Sequence, residues 1–118
     1  MTKSFLKKLG ITLMAALTMS VALAQSYPSR PVRVIIPFPP GGTLDAVGRM
    51  LAQKLSEQMG QPFVIENKPG GNGIIGADLV AKASADGYTL LFNASTFTSA
   101  PMTMKQVPYS VVKDFAPV

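Results

Sequence analysis

The chain has no cysteine and no histidine among its 118 residues. Without cysteine there is no disulfide, no thiolate metal site, no thiol nucleophile and no lipid-modified cysteine. Without histidine, the commonest general base and the imidazole metal ligand are missing. Serines and acids are present, but no spacing marks a carboxylate pair or a triad, so no catalytic residue is assigned. Neither a G-x-x-x-x-G-K-[ST] nor a G-x-G-x-x-G pattern occurs, and no cofactor or metal is implied. Charge is also sparse. The formal net charge is +5, but Lys3, Lys7 and Lys8 stand together at the start. Beyond them eight basic residues are scattered among six acidic ones. That leaves little footprint for nucleic acid.

What is present begins with an export signal. Three lysines precede the mostly apolar, uncharged run Leu9–Leu23, and Ala22-Leu23-Ala24 fits a small-x-small cleavage site. The apolar run is shorter than the ~20 residues a membrane span needs and is interrupted by Thr12, Thr18 and Ser20. Residues 1–24 therefore read as a cleavable signal peptide. Residues 25–118 read as a small α/β unit exported from the cytoplasm. The chain stops without a closing element, which reads as a fragment.

Val32–Pro37 is a nearly continuous β-branched run, suited to a strand covered on both faces. Pro39-Pro40-Gly41-Gly42 ends it. The pattern then predicts a helix with Thr43 as N-cap and Asp45 in its first turn. Val47, Leu51, Leu55 and Met59 form its buried stripe, with Asp45 and Arg49 paired on the outer face. Gly60 stops the helix. Phe63–Asn67 is a second strand, Lys68–Gly73 a glycine turn and Ile74–Ala83 a second helix, with Ile75, Leu79 and Ala83 on one face and Asp78 paired with Lys82. Tyr88–Asn93 is a third strand. Met102–Gln106 reads as a short helix and Pro108–Val118 as an extended connection. Phe92 and the methionines beyond the leader are assigned to the core.

Strand, Pro-Gly-Gly and helix occur twice, at Pro40-Gly41-Gly42 and Pro69-Gly70-Gly71. Alternating strands and helices imply a parallel sheet whose ligands bind beyond the carboxyl ends of the strands. The loops after Pro37, Asn67 and Asn93 should share that rim, whereas Arg30 and Arg33 lie at the opposite end. A glycine bend leading into a helix N-terminus suits an anion, although spacing alone fits a plain strand-to-helix turn equally well. Asn93, Ser95 and Thr96 offer polar groups at the third loop, or simply begin a helix.

The combination of Tyr27-Pro28, Pro37-Phe38-Pro39-Pro40-Gly41-Gly42, Asn67-Lys68-Pro69-Gly70, Asp86-Gly87-Tyr88-Thr89 and Lys113-Asp114-Phe115 resembles the Bug family. These are extracytoplasmic solute receptors of tripartite tricarboxylate transporters. The resemblance implies one parallel-sheet lobe, partly present, of a two-lobed type II-like Venus-flytrap binding protein. It further implies a monomer that captures a small carboxylate for membrane permease subunits. It brings the ligand to the loops Phe38–Asp45 and Asn93–Thr96, which makes Phe38, Gly41, Gly42, Thr43, Asp45, Asn93, Ser95 and Thr96 the candidate binding residues. The chain departs from the family where Pro108-Tyr109-Ser110-Val111 stands in place of a Pro-Tyr-Asp-Pro turn. The competing reading is an exported α/β enzyme acting on a small anion, with its catalytic residues outside this sequence.

Overall fold

The structure, a computed structural model, describes residues 26–118. The expected signal peptide, residues 1–24, and its expected cleavage point lie outside the described residues. Three parallel strands, β1 (Val32–Ile36), β2 (Phe63–Asn67) and β3 (Thr89–Leu91), form one sheet in the order β2-β1-β3. Val32 lies level with Phe63 and Ile36 with Asn67, while Ile35 lies level with Leu91. The helices are α1 (Thr43–Met59), α2 (Ile74–Ala81) and α3 (Thr96–Thr103), with a 3-10 turn at Gly71–Gly73. The chain leaves central β1 toward one edge and returns past it to the other. Crossovers of one hand then place α1 and α2 on opposite faces.

Side-chain alternation along β1 follows from this arrangement. Val32 and Val34 join Phe63 and Ala52 in a buried cluster under α1, flanked by Leu55, Ile65, Leu90 and Phe92. Ile36 faces α1 as well: a Cβ on Gly48 would come within 2.6 Å of its Cδ1. Pro37 faces α2, where a Cβ on Gly76 would meet Pro37 Cβ at 2.6 Å and the Lys68 carbonyl oxygen at 3.0 Å. Both helices therefore approach the sheet through a glycine.

The structure corrects the α1 stripe. Asp45, Gly48 and Ala52 are buried, while Val47 is 44% and Leu51 43% exposed, and Met59 is exposed too. Small residues, which admit close approach, take most sheet-facing positions; of the expected stripe only Leu55 packs against the cluster, while Val47, Leu51 and Met59 are turned away. Met50, Met102 and Met104 are exposed as well, so the methionines are not core, whereas Phe92 does pack against the cluster. Likewise Ile75 is exposed on α2, where Gly76 and Ala77 are the buried pair.

Thr43 is the first helical residue rather than the N-cap; that position is Gly42, and no side chain caps α1. Gly60, in the left-handed conformation, closes the helix by donating its N–H to the Ser56 carbonyl. The Ser56 hydroxyl accepts the Phe63 N–H at 2.8 Å and so ties the end of α1 to the start of β2. The second helix ends at Ala81, two residues early, and the third strand is limited to Thr89–Leu91.

The last helix spans Thr96–Thr103 rather than Met102–Gln106. The segment after Pro108 is a turn, not an extended run: the Asp114 carboxylate accepts the Ser110 N–H at 2.7 Å, and the Asp114 N–H returns to the Ser110 carbonyl at 3.0 Å. Phe97, Tyr109 and Phe115 pack ring against ring, with centroids 4.8–5.7 Å apart, and hold this turn to α3. Pro101 lacks the N–H that would bond the Phe97 carbonyl within the helix. The Tyr109 hydroxyl stands 3.5 Å from that oxygen instead.

Candidate functional site

The carboxyl ends of the three strands do form one rim. The Lys68 N–H donates to the Ile36 carbonyl at 2.8 Å and the Phe92 N–H to the Ile35 carbonyl at 2.9 Å. Continuing the β1–β3 register by two residues sets Asn93 level with Pro37. The helix after β1 covers one face of the sheet. The helix after β3 packs against α2 and the 3-10 turn, on the other face. The loops after β1 and β3 thus diverge from adjacent strands. That is the switch-point geometry at which open α/β sheets leave a crevice.

The β1 loop is held by a closed polar network. The two Asp45 carboxylate oxygens are fully engaged: Oδ2 accepts the Gly41 N–H at 3.0 Å and the Arg49 Nε–H at 2.9 Å, and Oδ1 accepts the Asn67 amide at 2.9 Å. The same Asn67 amide donates to the Phe38 carbonyl at 3.1 Å, and the Asn67 oxygen accepts from Arg49 at 3.1 Å. Asp45 is 5% exposed, so it belongs to the buried face of α1 and not to the outer one. Arg49, the Gly41 N–H and the Asn67 amide together hold its carboxyl well below the usual carboxylate range. Gly41 has φ +89° with open space where a Cβ would stand. The positive φ, not crowding, calls for glycine there.

At the start of α1, the first intrahelical bond runs from the Ala46 N–H to the Gly42 carbonyl at 3.0 Å. The N–H groups of Gly42, Thr43 and Leu44 take no partner among the described residues, as expected at a helix N-terminus. Gly42 and Thr43 are exposed. Phe38 is half-buried, and its ring comes within 3.5 Å of a Cβ placed on Gly73, which joins the first and second loops.

The β3 loop is less satisfied. Asn93 Oδ1 accepts the Ala94 N–H at 2.8 Å, but its Nδ2 is buried without a partner among the described residues, and so is the Thr96 hydroxyl. Ser95 precedes α3 and its side chain makes no capping bond. Its carbonyl accepts the Thr98 and Ser99 N–H groups at 3.2 and 3.1 Å. The candidate residues therefore fall into two adjacent loops on one rim. The expected Asp45–Arg49 pair forms, but reading the sequence missed Asn67, which completes the network.

Arg30 and Arg33 stand at the other end of the sheet. Arg33 grips Glu66 with two bonds of 2.7 and 3.0 Å. Arg30 bonds Asp86 at 2.9 Å and lies 4.1 Å over the Tyr88 ring. Among the described residues no helix is long and apolar enough to cross a membrane.

Residues 47–118 match the tripartite tricarboxylate transporter family receptor. The chain belongs to this family. It is a family of receptors, not of enzymes, and some of the relatives carry Bug names. Protein BugT of Bordetella pertussis is 44% identical over 115 residues, a match that covers 93% of this chain and 34% of BugT. Among solved structures, the periplasmic binding protein BugD superposes with a TM-score of 0.74 at 41% identity, over 77% of this chain and 30% of BugD. The R. palustris protein Rpa4515, solved with adipate, gives 0.68 at 39% identity, over 71% of this chain and 28% of that one. The chain spans about a third of the length of the receptors it matches. The α/β parallel-sheet fold is that of part of a periplasmic binding protein of the Bug type.

Proposed function

We propose that this chain is the first-lobe portion of an exported, monomeric receptor that captures a small carboxylate in the periplasm and passes it to the permease subunits of a tripartite transporter. The observation that carries the reading is the switch-point rim. There, unpartnered main-chain donors from the start of α1 lie beside a second loop whose Asn93 amide and Thr96 hydroxyl are also unpartnered. Donors of this kind suit an ionised group: each hydrogen bond to a charge contributes roughly 1.5–3 kcal/mol. Adipate in a related receptor supports the carboxylate class. Asp45 acts indirectly, because protein donors occupy both of its oxygens. A ligand meets the N–H groups that Asp45 arranges rather than the carboxylate itself. The leader 1–24 carries the chain across the inner membrane, and a second lobe would close over the rim and complete the cleft.

The test is a titration of ¹⁵N-labelled protein with adipate at millimolar concentrations, which detects even the weak binding expected of a half-cleft. Shifts should concentrate at Gly42, Thr43, Leu44, Asn93 and Thr96. An unresponsive spectrum, or shifts confined to the Arg30 and Arg33 end, would refute the reading.

A further inference from the structure

We propose that Asn67 is a positioning residue for the ligand loop: by holding Phe38 and Asp45 from the neighbouring strand, it fixes the Phe38–Gly42 bend and so aims the main-chain donors that follow. The inference rests on the carboxylate-receptor reading and adds to it a residue that touches no ligand. Asn67 ends β2 level with Ile36, the last residue of β1. Its side chain spans to both ends of the bend, to the Phe38 carbonyl at 3.1 Å and to Asp45 Oδ1 at 2.9 Å. Asp45 in turn fixes the Gly41 N–H at 3.0 Å. Only an amide can do this here. One end must donate to two oxygens while the other accepts from Arg49 at 3.1 Å; a carboxylate has no hydrogen to donate and a hydroxyl has only one. Arg49 closes the ring by bonding both Asp45 and Asn67, so the bend is braced from β2 and from α1 together.

The test compares Asn67→Ala and the nearly isosteric Asn67→Asp, with Gln53→Ala on the outer face of α1 as a control. It reads two quantities: the Gly41 amide resonance in the absence of ligand, and adipate affinity by titration. Both Asn67 variants should move the Gly41 amide proton upfield, toward the position of a solvent-bonded glycine. Both should weaken adipate binding by about tenfold, the equivalent of one charge-assisted hydrogen bond misplaced. Asn67→Asp should be the worse of the two, since its added oxygen faces the Asp45 carboxylate and the Phe38 carbonyl. Gln53→Ala should change neither quantity.

Where Asn67→Ala does not fold, Asn67→Asp decides. An unmoved Gly41 resonance overturns the inference, and so does a moved resonance with unchanged adipate affinity. If the unaltered protein ignores adipate while the Gly41 amide responds to both variants, the receptor reading fails and the loop-setting role of Asn67 stands.

Discussion

Toward the amino ends of β1 and β3, charge is matched with charge: Arg30 holds Asp86, Arg33 reaches along the sheet to Glu66 of β2, and the Ser29 N–H donates to the Tyr88 hydroxyl at 3.0 Å. The carboxyl ends are built otherwise. Their one buried ionised group, Asp45, faces inward and is consumed by the loop it braces, while the Asn93 amide and the Thr96 hydroxyl have no partner among the described residues. Covered polar groups are ordinarily satisfied within the protein. An end of the sheet that leaves them unmet is the end at which an incoming molecule or an ordered water has something to complete. The contrast also shows that an ion pair need not mark a site: the end with the most arginine has its arginines paired within the chain.

Perturbing the bracing of the rim should have the largest effect. Gly76→Ala drives a methyl against the Pro37 ring and the Lys68 carbonyl, neither of which can yield. We expect a loss of roughly 1–3 kcal/mol in denaturant unfolding, despite the better helix propensity of alanine. Little or no loss would mean that this end is softer than the contacts indicate.

Acid sharpens the comparison further. Asp45 has a folded-state pKa below its ordinary 3.8, so its contribution is fully present above about pH 4 and is lost as pH falls through the folded value. Glu66 is also lowered, chiefly by its bonds to Arg33, but it is more open to solvent. In thermal melts between neutral and acidic pH, Asp45→Asn should flatten the acid side of the stability profile distinctly more than Glu66→Gln. Equal slopes would erase the difference between the buried loop carboxylate and the more exposed ion pair on the sheet.

Thr43→Ala should leave stability within about 0.5 kcal/mol, because the side chain makes no capping bond. It should weaken carboxylate binding by about 1 kcal/mol if the hydroxyl touches the ligand. Calorimetry of the pair separates the two effects. The smallest change is expected from Arg30→Ala at the far end, where adipate-induced shifts should remain as in the unaltered protein. Their disappearance would move the site.

Much of the fold was legible because it depends on local chemistry. β2 runs from Phe63 to Asn67 as the apolar run predicts, β1 differs by a single proline, and Gly60 stops α1 as expected. The buried side of α1 was not legible. Apolar periodicity points to Val47 and Leu51, whereas contact distance selects Gly48 and Ala52. Hydrophobicity reports what gains by burial and says nothing of how close two backbones must come. The last helix lies earlier than expected and runs through Pro101, which a helix tolerates once the stranded carbonyl is near another donor.

At the site, the two loops could be read from glycine, threonine and the order of strands. Asn67 could not. Its part in the network arises only when β2 lies beside β1, a relation between residues far apart in the chain. A usable signal was there all the same: an amide at the last position of a strand, on the same side of the sheet as an acid that begins the preceding helix.

The open surroundings of Gly41 lead to a stereochemical consequence. With φ at +89° and no atom within 4 Å of the missing Cβ, the bend excludes side chains by handedness rather than by volume. In a chemically assembled chain, D-alanine at this position should adopt without strain the backbone angle that L-alanine resists. The mirror-image residue should preserve the bond from the position-41 N–H to Asp45, so what must be kept here is chirality, not emptiness.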